Sequence, residues 1–538
     1  MSERIVENMK YKVCILAAGK SKRKSVNSNI NPALLPLGDK SILTRILEQF
    51  PIGMEFVIAI GYHSNQIKEY INLVHSNSNI TLCPVESWDS PQSSTAKSLF
   101  ACKEQLQCPF ILTTANILVN EHIPPPEKNW VGIAPLPHAV DTKDFCIAET
   151  SNNLINKFYI KLKTQDLMRT CDDYKTILDN ALIGINGIKD FKYFWENLEV
   201  VIQYKTENDK KLSIGIEQLI NKKLFKIPFT YYDTGHDVGY EYANRMYDKN
   251  LVLRKDDEYI YFEKDLVIKY FNDNNIVSKR LKRAKLLKGY VPNICMNSNN
   301  FYAYKKIQGK TLSQVADNNL FHDMLEYYNT NLWKVKKINS TETKKFKDAC
   351  LQFYKSKTEM RIEKFYNKSK IIDKEEEING ITVPTLSDLM KNVDWDDLSN
   401  GVPVLYHGDF QPENIIVNNN YVLIDWRQDF AGILDYGDIY YDFAKMKHAL
   451  IISGEIIRNN QFTISKIENK IEFQYLIKSN LNNYLPILDS FIENKGYSLG
   501  KVNTLTSLIY LNIAPLHHSP YDNLLYYLGK LNLFLEQN

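Results

Sequence analysis

From residue 11 to about 245, short apolar runs alternate with longer amphipathic stretches. The runs at 12–18, 55–60, 80–85, 109–113 and 130–134 are strand-length and nearly all apolar, which predicts strands buried on both faces. Stretches at 42–49 and 64–74 place apolar residues at helical spacing between the first of these strands. This alternation predicts an α/β domain with a mostly parallel sheet and helices on both faces. In such sheets ligands bind at the carboxyl ends of the strands, which points to the loops at 18–31 and 116–121.

The texture changes after about residue 250. Segments 259–262 and 266–271 read as a strand pair, followed by a basic helix at 276–287 and a further strand at 301–307. From 318 onward the pattern is mainly helical, broken by short strands and loops between 402 and 433. Residues 340–380 are rich in Lys and Glu at helical spacing, which reads as an exposed helix with i,i+4 ion pairs. The boundary falls where the pattern changes, near 244–253.

Composition narrows the function classes. A chain of 538 residues implies two to four domains at about 150 residues each. With 44% hydrophobic and 24% charged residues, it is not a largely disordered chain. Lys and Arg number 66 against 63 Asp and Glu, a net +3 that argues against a dedicated nucleic-acid binder. Eight scattered cysteines without a CxxC pair read as reduced thiols in a cytoplasmic protein. The first apolar run is too short for a signal peptide, and no run reaches the roughly 18–20 apolar residues of a membrane span. The expected partners are small molecules, with oligomeric state left open.

The densest chemistry lies in Leu405-Tyr-His-Gly-Asp-Phe-Gln-Pro-Glu-Asn-Ile-Ile-Val417, followed by Val422-Leu-Ile-Asp-Trp426. Two short apolar strands each end at polar residues able to meet at one point. Phosphoryl transfer needs an acceptor for the substrate hydroxyl proton and oxygen ligands for a phosphate-bridging cation. Asp409 suits the first role. Asn414 offers a neutral oxygen and Asp425 a charged one, a donor set that a hard cation such as Mg²⁺ prefers.

This HxDxxxxN…D pattern resembles the aminoglycoside phosphotransferase and choline kinase superfamily, and the resemblance implies a two-lobed protein-kinase-like α+β domain. It would span 249–538, with a small lobe at about 249–317 and a helical lobe at about 318–538. It further implies ATP with Mg²⁺, Asp409 as base, His407 orienting the loop, and Asn414 and Asp425 on the metal. Lys269, on a strand as the kinase lysine is, becomes the candidate for the nucleotide phosphates. Two features depart from the pattern: no glycine-rich loop precedes Lys269, and helix 276–287 has no acid to pair with it. Arg280 and Arg283 are therefore further phosphate candidates. The block Tyr304-Lys-Lys-Ile-Gln-Gly-Lys-Thr-Leu312 resembles the family's interlobe segment. The block Gly437-Asp-Ile-Tyr-Tyr-Asp-Phe-Ala-Lys445 resembles its helix after the metal aspartate, where Asp438 and Asp442 either brace the catalytic loop or face a cationic acceptor. Trp426, Tyr440 and Tyr441 are candidates for lining the acceptor site, and the His517-His518 pair reads as packing.

Near the start, Cys14-Ile-Leu-Ala-Ala-Gly-Lys-Ser-Lys-Arg23 runs a buried strand into a glycine turn with basic residues, where backbone N–H groups can cradle phosphates. It resembles the signature of nucleotidyltransferases that make sugar nucleotides or CDP-choline. Leu34-Leu-Pro-Leu-Gly-Asp-Lys-Ser-Ile-Leu43, Ile183-Gly-Ile-Asn-Gly187 and Tyr231-Tyr-Asp-Thr-Gly235 match later blocks of that family. The resemblance implies a Rossmann-like nucleotidyltransferase domain over 1–248. Leu16, Ala17, Ala18, Gly19 and Arg23 would lie at the nucleotide, and Asn116 and Asp233 at a second Mg²⁺ used with CTP or another NTP. Three positions depart from the family. Pro32 stands where a lysine is usual, Asn116 where an aspartate is usual, and 89–99 lacks a glycine-rich stretch. Lys22, Lys24 or Lys97 would have to replace the lysine.

Taken together, these readings make a bifunctional enzyme for activated precursors of bacterial surface polysaccharide. One half phosphorylates a choline-like amino alcohol or a sugar, and the other condenses that phosphate ester with an NTP. The alternative is an active kinase fused to a non-catalytic nucleotidyltransferase-like domain used for binding or assembly.

Overall fold

The computed structural model describes residues 11–20, 29–86, 88–136, 142–170, 178–203, 210–247 and 257–538. The chain divides into two compact units, Met1–Asn272 and Asp273–Asn538.

The first unit is built on a nine-stranded sheet. Its strand order is Ile80–Pro84, Phe56–Ile60, Lys12–Ala17, Phe110–Thr114, Ala181–Ile188, Asn129–Ala134, Leu224–Pro228, Leu154–Ile160 and Cys146–Ser151. The first four strands are parallel, as their apolar runs predict, although the edge strand Ile80–Pro84 is buried only at Cys83 and not on both faces. Ala181–Ile188 then pairs antiparallel with Phe110–Thr114, and later pairings mix both senses. The parallel reading therefore holds for one half of the sheet only. Two glycines of the 183–187 block account for the register shift there. Gly184 has φ +88°, in a stretch where the register with Asn129–Ala134 shifts, and a Cβ on Gly187 would lie 2.1 Å from the Trp130 indole nitrogen.

Strand order reverses at Lys12–Ala17, which has Phe56–Ile60 on one side and Phe110–Thr114 on the other. In sheets of this kind ligands bind at such a switch point, here the carboxyl ends of Lys12–Ala17 and Phe110–Thr114. The short strand Tyr231–Asp233 pairs antiparallel with Ile117–Val119, so Asp233 lies opposite Ile117 and beside Asn116. The hairpin Glu258–Glu263 and Leu266–Phe271 belongs to this unit as well, although the sequence pattern groups it with the kinase-like half. Tyr261 donates its hydroxyl to the Leu34 carbonyl (2.6 Å), and the Phe262 N–H donates to the Asp39 carbonyl (2.7 Å).

The second unit opens on the helix Asn274–Leu286, capped by the Asp273 side chain. A hairpin follows (Ile294–Asn297 and Phe301–Lys305), then a small sheet ordered Lys310–Thr311, Ile415–Val417, Tyr421–Leu423. The remainder is mainly helical, with Ile439–Ile451 and Leu499–Ile513 buried along most of their length. Residues 340–369 do not form one exposed helix. Ser340–Leu351 passes through a π-helical turn, Gln352–Ser356, into Lys357–Ser369, and Phe346, Cys350, Phe353, Ile362 and Phe365 are buried. Lys368 pairs with Asp522 (3.4 Å), outside its own helix. Among the described residues no helix is long and apolar enough to cross a membrane, and the seven described cysteines are unpaired.

Candidate active site

Strand Pro403–Val404 pairs with Gly437–Asp438 and delivers the loop that carries His407 and Asp409. The loop is held from beneath by Asp442, on helix Ile439–Ile451. Its carboxylate accepts the backbone N–H groups of His407 (2.8 Å) and Gly408 (2.7 Å) and the Trp333 indole N–H (3.0 Å). Asp438 accepts Val402 N–H, Tyr440 N–H and the Tyr354 hydroxyl in the same way. Burial pushes both carboxyls up to about 6. Of the two roles the sequence leaves open for these acids, Asp442 is spent on bracing the loop and Asp438 on the strand and helix that flank it.

After Gly408, at φ +86°, the chain turns so that Asp409 meets Asn414. Asn414 sits in the short 3-10 turn Pro412–Asn414 and donates its amide to the Asp409 carbonyl (2.9 Å) and Asp409 Oδ2 (3.0 Å). Lys445 takes the other carboxylate oxygen, with Nζ 2.7 Å from Asp409 Oδ1. The hairpin Ile415–Val417 and Tyr421–Leu423 returns the chain, and Ile424 N–H donates to the Asn414 carbonyl (2.9 Å), bringing Asp425 alongside. Asp425 itself stands at φ +59° and pairs with Arg280 (2.5 Å). His407 is fully buried, and its Nδ1 accepts the Asp409 N–H (3.3 Å). Burial holds its imidazole down at about 4, hence neutral. A ring so enclosed shapes the loop and does not reach solvent.

Asp409 and Asn414 therefore meet directly, and the backbone bond at Ile424 brings Asp425 near them, although the three come from separate points in the sequence. The Asn414 amide nitrogen is committed to Asp409, so its oxygen is the atom left for a cation. Together with the Asp425 carboxylate it makes an all-oxygen donor set of the kind Mg²⁺ takes alongside phosphates. Among the described residues no three His, Cys, Asp or Glu side chains form a metal cluster.

The remaining candidates sort by burial. Arg280 stays beside Asp425, whereas Arg283 is fully buried and donates to the Leu434 and Tyr406 carbonyls, too deep for a phosphate. Trp426 is no acceptor-site residue. It is fully buried, and its indole donates to the Arg280 carbonyl (2.9 Å). Tyr440 is buried with its hydroxyl on Ser498 N–H, while Tyr441 packs edge-on against Phe353 at 4.8 Å. His517 packs on Tyr521 at 4.8 Å. Lys269, in the first unit, is buried and pairs with Glu258 (3.2 Å). The acid absent from helix 276–287 is thus supplied from the adjacent strand.

In the first unit, the Leu16 and Ala18 carbonyls accept the N–H groups of Ala115 (3.0 Å) and Tyr62 (2.9 Å), and the Ala17 carbonyl accepts the Asn31 amide (3.2 Å). These bonds fix the turn. Gly19 is exposed with open space where a Cβ would stand. Arg23, Lys22 and Lys24 lie outside the described residues. Lys97 reaches Gln92 (3.3 Å) from an exposed position. Pro32 opens the 3-10 turn Pro32–Leu34, capped by the Asn31 side chain. Asn116 donates its amide to Asp233 Oδ1 (2.7 Å), which also accepts Gly235 N–H (2.7 Å).

Comparison with known proteins bears on the second unit first. Residues 370–456 match the phosphotransferase enzyme family. That segment contains His407, Asp409, Asn414, Asp425 and Lys445, and the C-terminal region is kinase-like in fold. No curated protein matches the chain. Its N-terminal part is similar to many solved structures, among them these three. One is a UDP-glucose pyrophosphorylase complexed with UDP-glucose (16% identity, 44% of this chain, 98% of that one, TM-score 0.36). Another is the CTP:phosphocholine cytidylyltransferase of Streptococcus pneumoniae (12%, 44%, 99%, TM-score 0.35). The third is the inositol-1-phosphate CTP transferase of T. maritima (13%, 45%, 98%, TM-score 0.34).

Sequence reasoning missed that Lys445 pairs with Asp409 and that Lys357, Arg361 and Arg427 cluster nearby. Lys445 was legible as part of a family block, but nothing in its spacing tied it to Asp409. Lys357, Arg361 and Arg427 lie far apart in sequence or within a segment that reads as plain surface helix.

Proposed function

We propose that the second unit is an ATP-dependent small-molecule kinase. The observation that carries this reading is the convergence of Asp409, Asn414 and Asp425 on a segment that matches a phosphotransferase family. Asp409 receives the acceptor hydroxyl proton as the oxygen bonds to the γ-phosphorus and the bridging P–O bond to ADP breaks. Asn414 and Lys445 fix the two carboxylate oxygens, so the base is oriented before substrate arrives. Asn414 and Asp425 would hold Mg²⁺, which when bound neutralises charge on the nucleotide phosphates. Arg280, beside Asp425, is the cation proposed for those phosphates. The kinase domain is taken to begin near 249, with 1–248 as the nucleotidyltransferase-like domain.

The test is Asp409→Asn. ADP release with a competent acceptor should fall roughly 10²–10⁴-fold, with Mg-ATP binding and melting temperature retained. Unchanged turnover removes the assignment.

For the first unit the reading is an NTP-binding domain at the switch point, within a cytoplasmic protein serving surface-polysaccharide precursors. As a transferase it condenses the phosphate ester with CTP or another NTP and releases pyrophosphate. The Asn116–Asp233 hydrogen bond favours the second reading, a domain that binds without catalysing, because an amide there satisfies the carboxylate without a cation. Pyrophosphate release, measured over a panel of NTPs and phosphorylated acceptors, separates the two.

A further inference from the structure

Helix Lys357–Ser369 sorts its charges by face. Glu359 and Glu363, four residues apart, are exposed and border a groove with Lys355, Leu386 and Trp395. Lys357 and Arg361, also four apart, lie two residues out of phase and face the other way. Lys357 Nζ lies 4.4 Å from the centre of the Phe353 ring, and the Arg427 guanidinium lies 4.6 Å from the same ring. Arg427 is locked beside the catalytic loop. Its N–H donates to the His407 carbonyl (3.0 Å), and a Cβ on Gly408 would lie 2.6 Å from the Arg427 Cβ. Lys445 completes the group on Asp409 Oδ1.

Lys445 thus holds one oxygen of Asp409 and Asn414 the other, while Lys357, Arg361 and Arg427 lie within electrostatic reach of one another, Lys357 also of Lys445 and Asp409. Among the described residues Lys357, Arg361 and Arg427 form no salt bridge, and the buried Nε atoms of both arginines lack hydrogen-bond partners. Arranging unpaired charges at the edge of a site is costly, and an anion is the group that offsets it. The π-helical turn Gln352–Ser356 immediately precedes Lys357, and such turns re-aim side chains at functional sites.

We propose that the acceptor pocket beside Asp409 recognises an anionic hydroxyl compound, one bearing a carboxylate or a phosphate group, through Lys357, Arg361 and Arg427. This rests on the kinase reading for the identity of the pocket, and it replaces a choline-like acceptor with one of opposite charge. Like charge at this distance rejects a quaternary amine. The arginine forks can pair with two oxygens of either anion. Burial and the neighbouring Arg427 and Arg361 charges also push the Lys357 ammonium down to about 6, which a bound anion would reverse.

The test is calorimetric titration of the full chain, first saturated with Mg-AMPPNP, using inorganic phosphate, sodium acetate and choline chloride in turn. Phosphate or acetate should bind, the two arms telling phosphate from carboxylate, and choline should give no heat. Lys357→Met and Arg361→Gln should each weaken the anion about tenfold or more, with Arg361→Lys recovering part of it. Circular dichroism and melting temperature check that each variant folds. Binding of choline, failure of both anions to bind, or variants that bind the anion as the parent does would overturn the proposal. So would variants that weaken Mg-AMPPNP and leave the anion untouched, since the cations would then serve the nucleotide. If Mg-AMPPNP itself does not bind, the kinase reading falls separately, and an anion still dependent on Lys357 and Arg361 would sustain the pocket.

Discussion

His407 shows how one side chain couples the active-site loop to pH. Its imidazole is held down at about 4 by burial, against about 6.5 in an unfolded chain. Between those values the unfolded chain binds the proton that the native state refuses, so stability is lost as pH falls from about 6.5 toward 4. Asp438 and Asp442, pushed up to about 6 by burial, act in the opposite sense. Their native carboxyls bind protons more tightly than the unfolded ones, so their contribution grows as pH falls from about 6 toward 4. A comparison with His407→Gln isolates the first effect. In urea unfolding, whatever stability difference separates wild type from variant at pH 7 should shift by about 2 kcal/mol against the wild type at pH 5. The motif made His407 legible as an orienting residue. Its neutrality was not, because burial is a property of the packed unit.

At the scale of elements, the turn at Gly408 decides whether Asp409 faces Asn414. Its φ of +86° suits glycine, and a Cβ there would meet the Tyr406 ring at 2.7 Å as well as the Arg427 stem. Gly408→Ala should destabilise the second unit by about 2–4 kcal/mol and abolish phosphoryl transfer, measured by thermal melting and ADP release. The His-Gly-Asp spacing could be read in the sequence. The lysine-rich stretch at 340–380 could be read as helix, but not as two helices joined by a π turn. Periodicity reports which face is apolar and carries no information about which polar face meets a catalytic loop.

At the scale of the whole molecule, the altered first unit tests how far the family resemblance extends. Asn116 and Asp233 are brought into hydrogen-bond contact by pairing of strands more than a hundred residues apart in the chain. Asn116→Asp would place two carboxylates there. Without a divalent cation their repulsion should lower the melting temperature, and added Mg²⁺ should restore it by a few degrees. Differential scanning fluorimetry with EDTA and with Mg²⁺ reads this directly. A variant that ignores Mg²⁺ would mean that the position no longer forms a cation site.

The sequence by itself determined the strand-helix alternation of the first unit, the small-sheet and helical character of the second, and the motif from His407 to Asp425. All three are local: hydrophobic period, turn residues and short spacings fix them before any long-range contact forms. Tertiary structure alone decided that the sheet turns antiparallel after its fourth strand, that Lys269 takes its acid from a neighbouring strand, and that Asp438, Asp442 and Trp426 are structural. It also set Lys445 on Asp409 and gathered Lys357, Arg361 and Arg427 together. Charge in a sequence has sign but no direction, and only packing turns separate cations toward one point.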